Sequence, residues 1–146
     1  MDDRIVVTVE QARRLVAGQF PQWAALDVRP VDLSGWDNRS FRLGDEMLIR
    51  MPSAARYGAQ VEKEHRWLPE LGPHLPFPIP VPLALGRPAE GYPFSWSVYR
   101  WLEGEPLAQH LQHVDLSQVA IDVASFLNGL QQIDASQGPP AGAHNF

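Results

Sequence analysis

The sequence predicts an α+β fold: a mainly antiparallel five-stranded sheet with a helix packed on it, followed by a helical appendage beyond a hinge. Three observations predict it. Residues 94–101 alternate Phe94, Trp96 and Val98 with Ser95, Ser97 and Tyr99, the period of two expected of a strand, and the shorter runs 39–43 and 47–51 flank a Gly44-Asp45 turn. Residues 9–19, 57–71 and 116–130 carry apolar side chains at the three- and four-residue spacing of one helical face. The break Glu103-Gly104-Glu105-Pro106 then divides the chain into parts 1–103 and 104–146.

The elements follow in order. Thr8 with Gln11 three residues on is a capping-box pattern, and Val9, Ala12, Leu15 and Val16 recur on the helix that it opens. "DVRPVDLSG" has strand character, and the strands 39–43 and 47–51 come after it. From Tyr57 to Leu71 the spacing of Val61, Glu64, Leu68 and Leu71 predicts a helix, kinked or broken at Pro69. Prolines at 73, 76, 78, 80, 82 and 88 favour an extended, polyproline-like connector before the next strand. Beyond the hinge come a short helix over 106–113 and a longer one opened by Asp115, with Leu116, Val119, Ala120, Val123, Leu127 and Leu130 on one face.

Bulk composition narrows the function classes. A chain of 146 residues with 45% hydrophobic and 20% charged residues has the make-up of one globular domain. Its net charge of −5, with basic residues scattered rather than clustered, argues against nucleic acid as a partner. No apolar run approaches the roughly 18 residues of a membrane span, and the acidic start "MDDRIVVTVE" and the absence of cysteine predict a cytoplasmic protein with no secretory signal.

Two features carry chemistry. Glu64 lies on the apolar stripe of its helix, where a lone carboxylate is costly unless a cation meets it. Lys63, the only lysine, lies about 100° around the helix; Arg50 shares a strand face with Leu48 and is the expected partner. The alternative is a Glu64 at the edge of the stripe, in water. The loop Gly35, Trp36, Asp37, Asn38 reads either as a structural turn or as backbone able to approach a phosphate. It is neither a G-x-x-x-x-G-K-[ST] nor a G-x-G-x-x-G motif.

The order of these pieces is that of a kinase N-terminal lobe: glycine loop, hairpin ending in a cation, helix with an inward glutamate, two further strands, hinge. The segments "GWDNRSFRLGDEMLIRMP", "VEKEHRWLPEL", "LPFPIPVPLALGRP" and "YPFSWSVYRWLEGEPL" resemble the aminoglycoside phosphotransferase family of kinase-like small-molecule phosphotransferases, from about residue 8 to the end. The resemblance implies that Gly35, Trp36, Asp37 and Asn38 cover a triphosphate of ATP or GTP. It implies that Arg50 replaces the usual strand lysine, with Glu64 orienting it. Leu33, Phe41 and Leu48 would form the apolar ceiling over the base. The Arg100 carbonyl and the Leu102 N–H would meet its edge, while Tyr99 and Trp101 are expected to serve as core packing.

One departure is larger. The family's loop resembles H-G-D-x-x-x-x-N, whose aspartate orients the acceptor hydroxyl and whose asparagine helps hold magnesium. Asp134, His144 and Asn145 do not match it. The expectation is therefore the N-terminal part of a longer phosphotransferase, ending as the C-terminal lobe begins, with no catalytic and no metal residue of its own. The small-molecule acceptor and the magnesium ligands would belong to the rest of that lobe. The alternative is a non-catalytic nucleotide-binding or interaction domain. The apolar face of the 116–130 helix predicts self-association.

Overall fold

The computed structural model describes residues 3–32 and 35–138. Helix α1 (Val9–Gln19) begins where expected, with the Thr8 hydroxyl accepting a hydrogen bond from the Gln11 N–H at 3.1 Å. Strands β1 (Val28–Pro30), β2 (Asn38–Leu43) and β3 (Met47–Pro52) form an antiparallel meander. Helix α2 (Ala55–Leu71) precedes β4 (Pro82–Gly86) and β5 (Trp96–Arg100), and α3 (Leu116–Gln131) ends the described order of elements. The sheet runs β1-β2-β3-β5-β4, with every neighbouring pair antiparallel.

Alternation along the strands sorts side chains onto two faces. One face holds Phe41, Leu43, Ile49, Met51, Trp96 and Val98, packed with Val28 and with Ala12, Leu15 and Val16 of α1. The other carries Leu48, Arg50, Ser97 and Tyr99 and is covered by α2, which buries Tyr57 and Val61. Because both faces are covered, Trp96, Ser97, Val98 and Tyr99 are all buried. Gly44, at φ +57°, closes the β2–β3 turn in a conformation that favours glycine, and its N–H bonds to the Asp27 carbonyl at 2.8 Å.

Two local expectations need correction. The helix is not broken at Pro69: α2 continues to Leu71, and the Gly72 N–H still bonds to the Leu68 carbonyl. Pro69 is exposed and close to the helix end, so its missing N–H costs a single bond of the last turn. Residues 106–113 form no α-helix, only a 3-10 turn at Leu107–Gln109. All but one of them are exposed, and a segment this short does not hold a helix without packing. Gly104, in the Glu103–Pro106 break, has a φ of +153°, which L side chains rarely adopt. Helix α3 is capped by Asp115, which accepts from the Ser117 and Gln118 N–H groups. It buries none of its residues, and Leu116, Val123, Leu127 and Leu130 stay exposed.

Candidate functional site

Arg50 points from β3 toward α2 because its neighbours Ile49 and Met51 fill the opposite face. Its Nη1 lies 3.0 Å from the Glu64 Oε2, with the two side chains 28% and 25% exposed. The expected pair is present, and the water-exposed alternative for Glu64 is not. Tyr99 joins them. Its hydroxyl donates to the same Glu64 oxygen at 2.5 Å, and the Arg50 guanidinium carbon lies 5.2 Å from the centre of its ring. Burial, reinforced by the hydrogen bond to Glu64, pushes the Tyr99 phenol well above its ordinary pKa, so it remains a donor at neutral pH.

One residue further along α2, His65 Nε2 is 2.9 Å from the Ser97 Oγ. Ser97 is the β5 residue opposite Arg50. Burial lowers the His65 pKa, against the smaller raising effect of the Glu64 charge. Lys63 faces elsewhere, toward a cavity of about 800 Å³ that it lines with Trp67, Leu130 and Ile133.

Below Arg50 lies a cleft of about 130 Å³, lined by Leu48, Arg50, Pro80, Tyr99, Arg100, Trp101 and Leu102. β3, the connector before β4 and the hinge after β5 meet there. The Arg100 N–H is taken by the Val81 carbonyl at 2.9 Å and the Trp101 N–H by the Glu46 carbonyl at 2.8 Å. No hydrogen bond among the described residues uses the Leu102 N–H. The Arg42 guanidinium covers the Trp101 ring, 3.9 Å from its centre, and the buried Trp101 Nε1 and Arg42 Nε have no hydrogen-bond partner among the described residues. The cleft thus brings together apolar side chains, a backbone N–H that no hydrogen bond among the described residues uses, and the Arg50 guanidinium.

The predicted site residues fall into three groups. Leu48, Arg50, Arg100 and Leu102 meet at this cleft with Glu64 behind Arg50. Gly35, Trp36 and Asp37 form an exposed to half-buried approach to β2, which Asn38 opens; the Ser53 N–H donates to the Asp37 carbonyl at 2.8 Å and the Ser53 hydroxyl to the Trp36 carbonyl at 3.3 Å. The Trp36 ring lies under the Arg4 guanidinium at 3.6 Å, and a side chain at Gly35 would meet open space. Phe41 is a correction. It pairs with Ile49 and lies on the α1 face, so it shares no face with Leu48; that face of β2 carries Ser40 and Arg42. Leu33 lies outside the described residues, as do His144 and Asn145.

Sequence reasoning missed Tyr99 as a site residue, along with Pro80 and the His65–Ser97 contact. The only available signal was that Glu64 and His65 follow one another on a helix facing a strand with Ser97 and Tyr99 on one side. Among the described residues, no group of three or more His, Cys, Asp or Glu side chains could hold a metal ion.

Sheet order, covering helix, hinge cleft and Arg–Glu pair together define the N-terminal lobe of a kinase-like fold. A family model described as the phosphotransferase enzyme family, APH, matches residues 27–146, and the chain belongs to that family. Among solved structures, the GDP complex of wild-type aminoglycoside 2'-phosphotransferase-IIIa superposes with a TM-score of 0.82 at 20% identity, over 94% of this chain and 48% of that one. ADP-bound aminoglycoside phosphotransferase APH(2'')-Ib gives a TM-score of 0.64 at 16% identity, over 92% and 43%. The streptomycin-ATP-APH(2")-IIa ternary complex gives 0.62 at 17%, over 93% and 43%. The chain thus spans about half the length of the solved structures that it matches. No curated protein matches it.

Proposed function

We propose that this chain is the nucleotide-binding part of a phosphotransferase that moves a phosphoryl group from ATP or GTP to a hydroxyl of a small molecule. The observation that carries the reading is the Arg50–Glu64 pair, held at 3.0 Å at the edge of the hinge cleft. Structural neighbours were solved with GDP, ADP or ATP, and some with kanamycin, streptomycin or gentamicin, which supports a purine nucleotide as donor and a small polar acceptor. When bound, the nucleotide supplies the phosphoryl group. Leu48 and Pro80 cover its base, the Leu102 N–H and the Arg100 carbonyl meet the base edge, and Arg50 takes a phosphate oxygen while Glu64 fixes its direction. The Gly35–Asn38 segment closes over the phosphates. Magnesium would be held by residues beyond this lobe.

The reading also assigns the lobe no transfer of its own. The 146 residues contain no H-G-D-x-x-x-x-N sequence, so no aspartate is set to receive the acceptor proton. Titration calorimetry with ATP and with GTP tests the proposal. The chain should bind at least one of them, and Arg50→Ala should weaken that binding about tenfold, the loss of one charge-assisted contact. Absence of binding to either nucleotide would return the chain to the alternative of an interaction domain.

A further inference from the structure

We propose that Tyr99 is a positioning residue for the phosphate-binding cation: its phenol pins Glu64, so that Glu64 engages one edge of the Arg50 guanidinium and the rest of that fork stays turned to the cleft. The inference rests on the nucleotide reading above and goes beyond it, since Tyr99 acts here through Glu64 rather than on the ligand.

Three observations support it. The two donors converge on one atom: Arg50 Nη1 and the Tyr99 hydroxyl both reach the Glu64 Oε2, from β3 and from β5. Their burial differs. Tyr99 is 2% exposed and has only two side-chain torsions, whereas Arg50 and Glu64 are long side chains about a quarter exposed, so the phenol is the fixed point of the three. The neighbouring contact repeats the device, since His65 on α2 meets Ser97 on β5 at 2.9 Å. Consecutive helix residues are thus tied to alternate residues of one strand, and α2 cannot roll on the sheet without breaking both ties.

Arginine makes this orientation matter. A lysine ammonium is a point charge that serves in any rotation, but a planar guanidinium presents its donors in one plane and must be aimed. A glutamate held only by Arg50 would leave the two side chains free to swing together. The phenol removes that freedom.

The test compares ATP with adenosine by calorimetry, on the full 146-residue chain and on Tyr99→Phe, which keeps the ring and removes the hydroxyl. The ratio of ATP to adenosine affinity should fall about five- to tenfold in Tyr99→Phe, ATP losing more affinity than adenosine because Tyr99 also lines the cleft. In an Arg50→Ala background the same substitution should leave the ratio where Arg50→Ala alone puts it. Glu64→Gln, a second variant should Tyr99→Phe fold poorly, should lower the ratio in the same direction. An unaltered ratio, an equal loss for adenosine, or a full Tyr99→Phe effect without Arg50 overturns the inference. An unsubstituted chain that binds ATP no more tightly than adenosine instead overturns the phosphate role of Arg50, a failure visible before any variant is made.

Discussion

At the residue scale, the Arg50–Glu64–Tyr99 cluster contributes to stability, because three polar groups meet at a partly buried site. Glu64→Ala strips a partly buried arginine of its counter-ion and a buried phenol of its acceptor, and should cost about 3 kcal/mol. Glu64→Gln keeps an acceptor for both and should cost less than half as much; urea denaturation of the two variants measures the difference. His65 should make stability depend on pH. Its folded pKa lies below the ordinary 6.5, so the unfolded chain binds the proton first as pH falls. The His65 contribution is therefore fully present above about pH 6.5 and is lost progressively as pH drops from there toward the lowered folded value. Denaturation midpoints at pH 7 and pH 5 should differ less in His65→Gln than in the unsubstituted chain; an identical drop would remove His65 from the account. Arg50 and Glu64 were legible in the sequence because a charge on an apolar periodic face demands an opposite charge, and periodicity says which way each points. Phe41 was misread because the face of one strand is known only once its register against the next is known. Tyr99 was read as packing because nothing in a strand pattern says that a helix carboxylate will stand over it.

At the element scale, the helices with caps were legible almost to the residue, since Thr8 and Asp115 satisfy first-turn N–H groups by a local hydrogen bond that needs no tertiary partner. The start of β4 was not, because prolines before it suppress the strand signal while sheet pairing with β5 overrides them. That pairing has one tight point. A Cβ on Gly86 would come within 2.0 Å of the Trp96 ring, which is itself held edge-on to Phe20 at 5.5 Å and through its Nε1 to the Arg87 carbonyl at 3.1 Å. Gly86→Ala should therefore destabilise by about 3 kcal/mol or more, and an unmoved thermal midpoint would show that the ring has room to yield. Helix α3 presents the opposite situation, a surface with too little against it. Leu116, Val123 and Leu130 recur every seven residues, Leu127 widens the stripe, and Asp122 is the only charged residue in the helix. A repeat of seven is self-complementary in a two-fold helix pair, so the isolated chain is expected to associate with a second copy through α3. Light scattering at about 50 μM, above the micromolar dissociation constants of modest interfaces, should show a dimer or larger species that Leu127→Glu returns to monomer; a monomer without the substitution would count against it.

At the scale of the whole molecule, the fold was legible from order rather than from any single motif. Hairpin, helix with an inward glutamate, two strands and hinge leave few ways to place an antiparallel sheet with one helix on it, and the strand order β1-β2-β3-β5-β4 is one that brings Arg50 and the hinge to the same cleft. The cleft itself was legible only as far as the resemblance carried it, since a pocket is made of residues 50 apart in sequence whose meeting depends on packing. What this arrangement can do follows from what phosphoryl transfer needs. The reaction depends mostly on positioning and on charge stabilisation around the phosphates, and an acceptor must also be oriented and relieved of its proton. Under the proposed function, Arg50, Glu64 and the hinge would serve the first part, and the sequence contains no H-G-D-x-x-x-x-N motif for the second. Purified chain mixed with magnesium, ATP and an aminoglycoside should therefore release no phosphorylated product above background by mass spectrometry. Joined in one polypeptide to a lobe that carries an H-G-D-x-x-x-x-N loop, the same residues should support transfer, and Arg50→Ala should then lower kcat/KM by roughly 10²–10³-fold, the usual effect of removing one group aimed at transition-state charge. Transfer by the short chain alone would mean that its own residues orient the acceptor, and would overturn the division of labour drawn here; full activity of Arg50→Ala in the joined protein would take the phosphates away from Arg50.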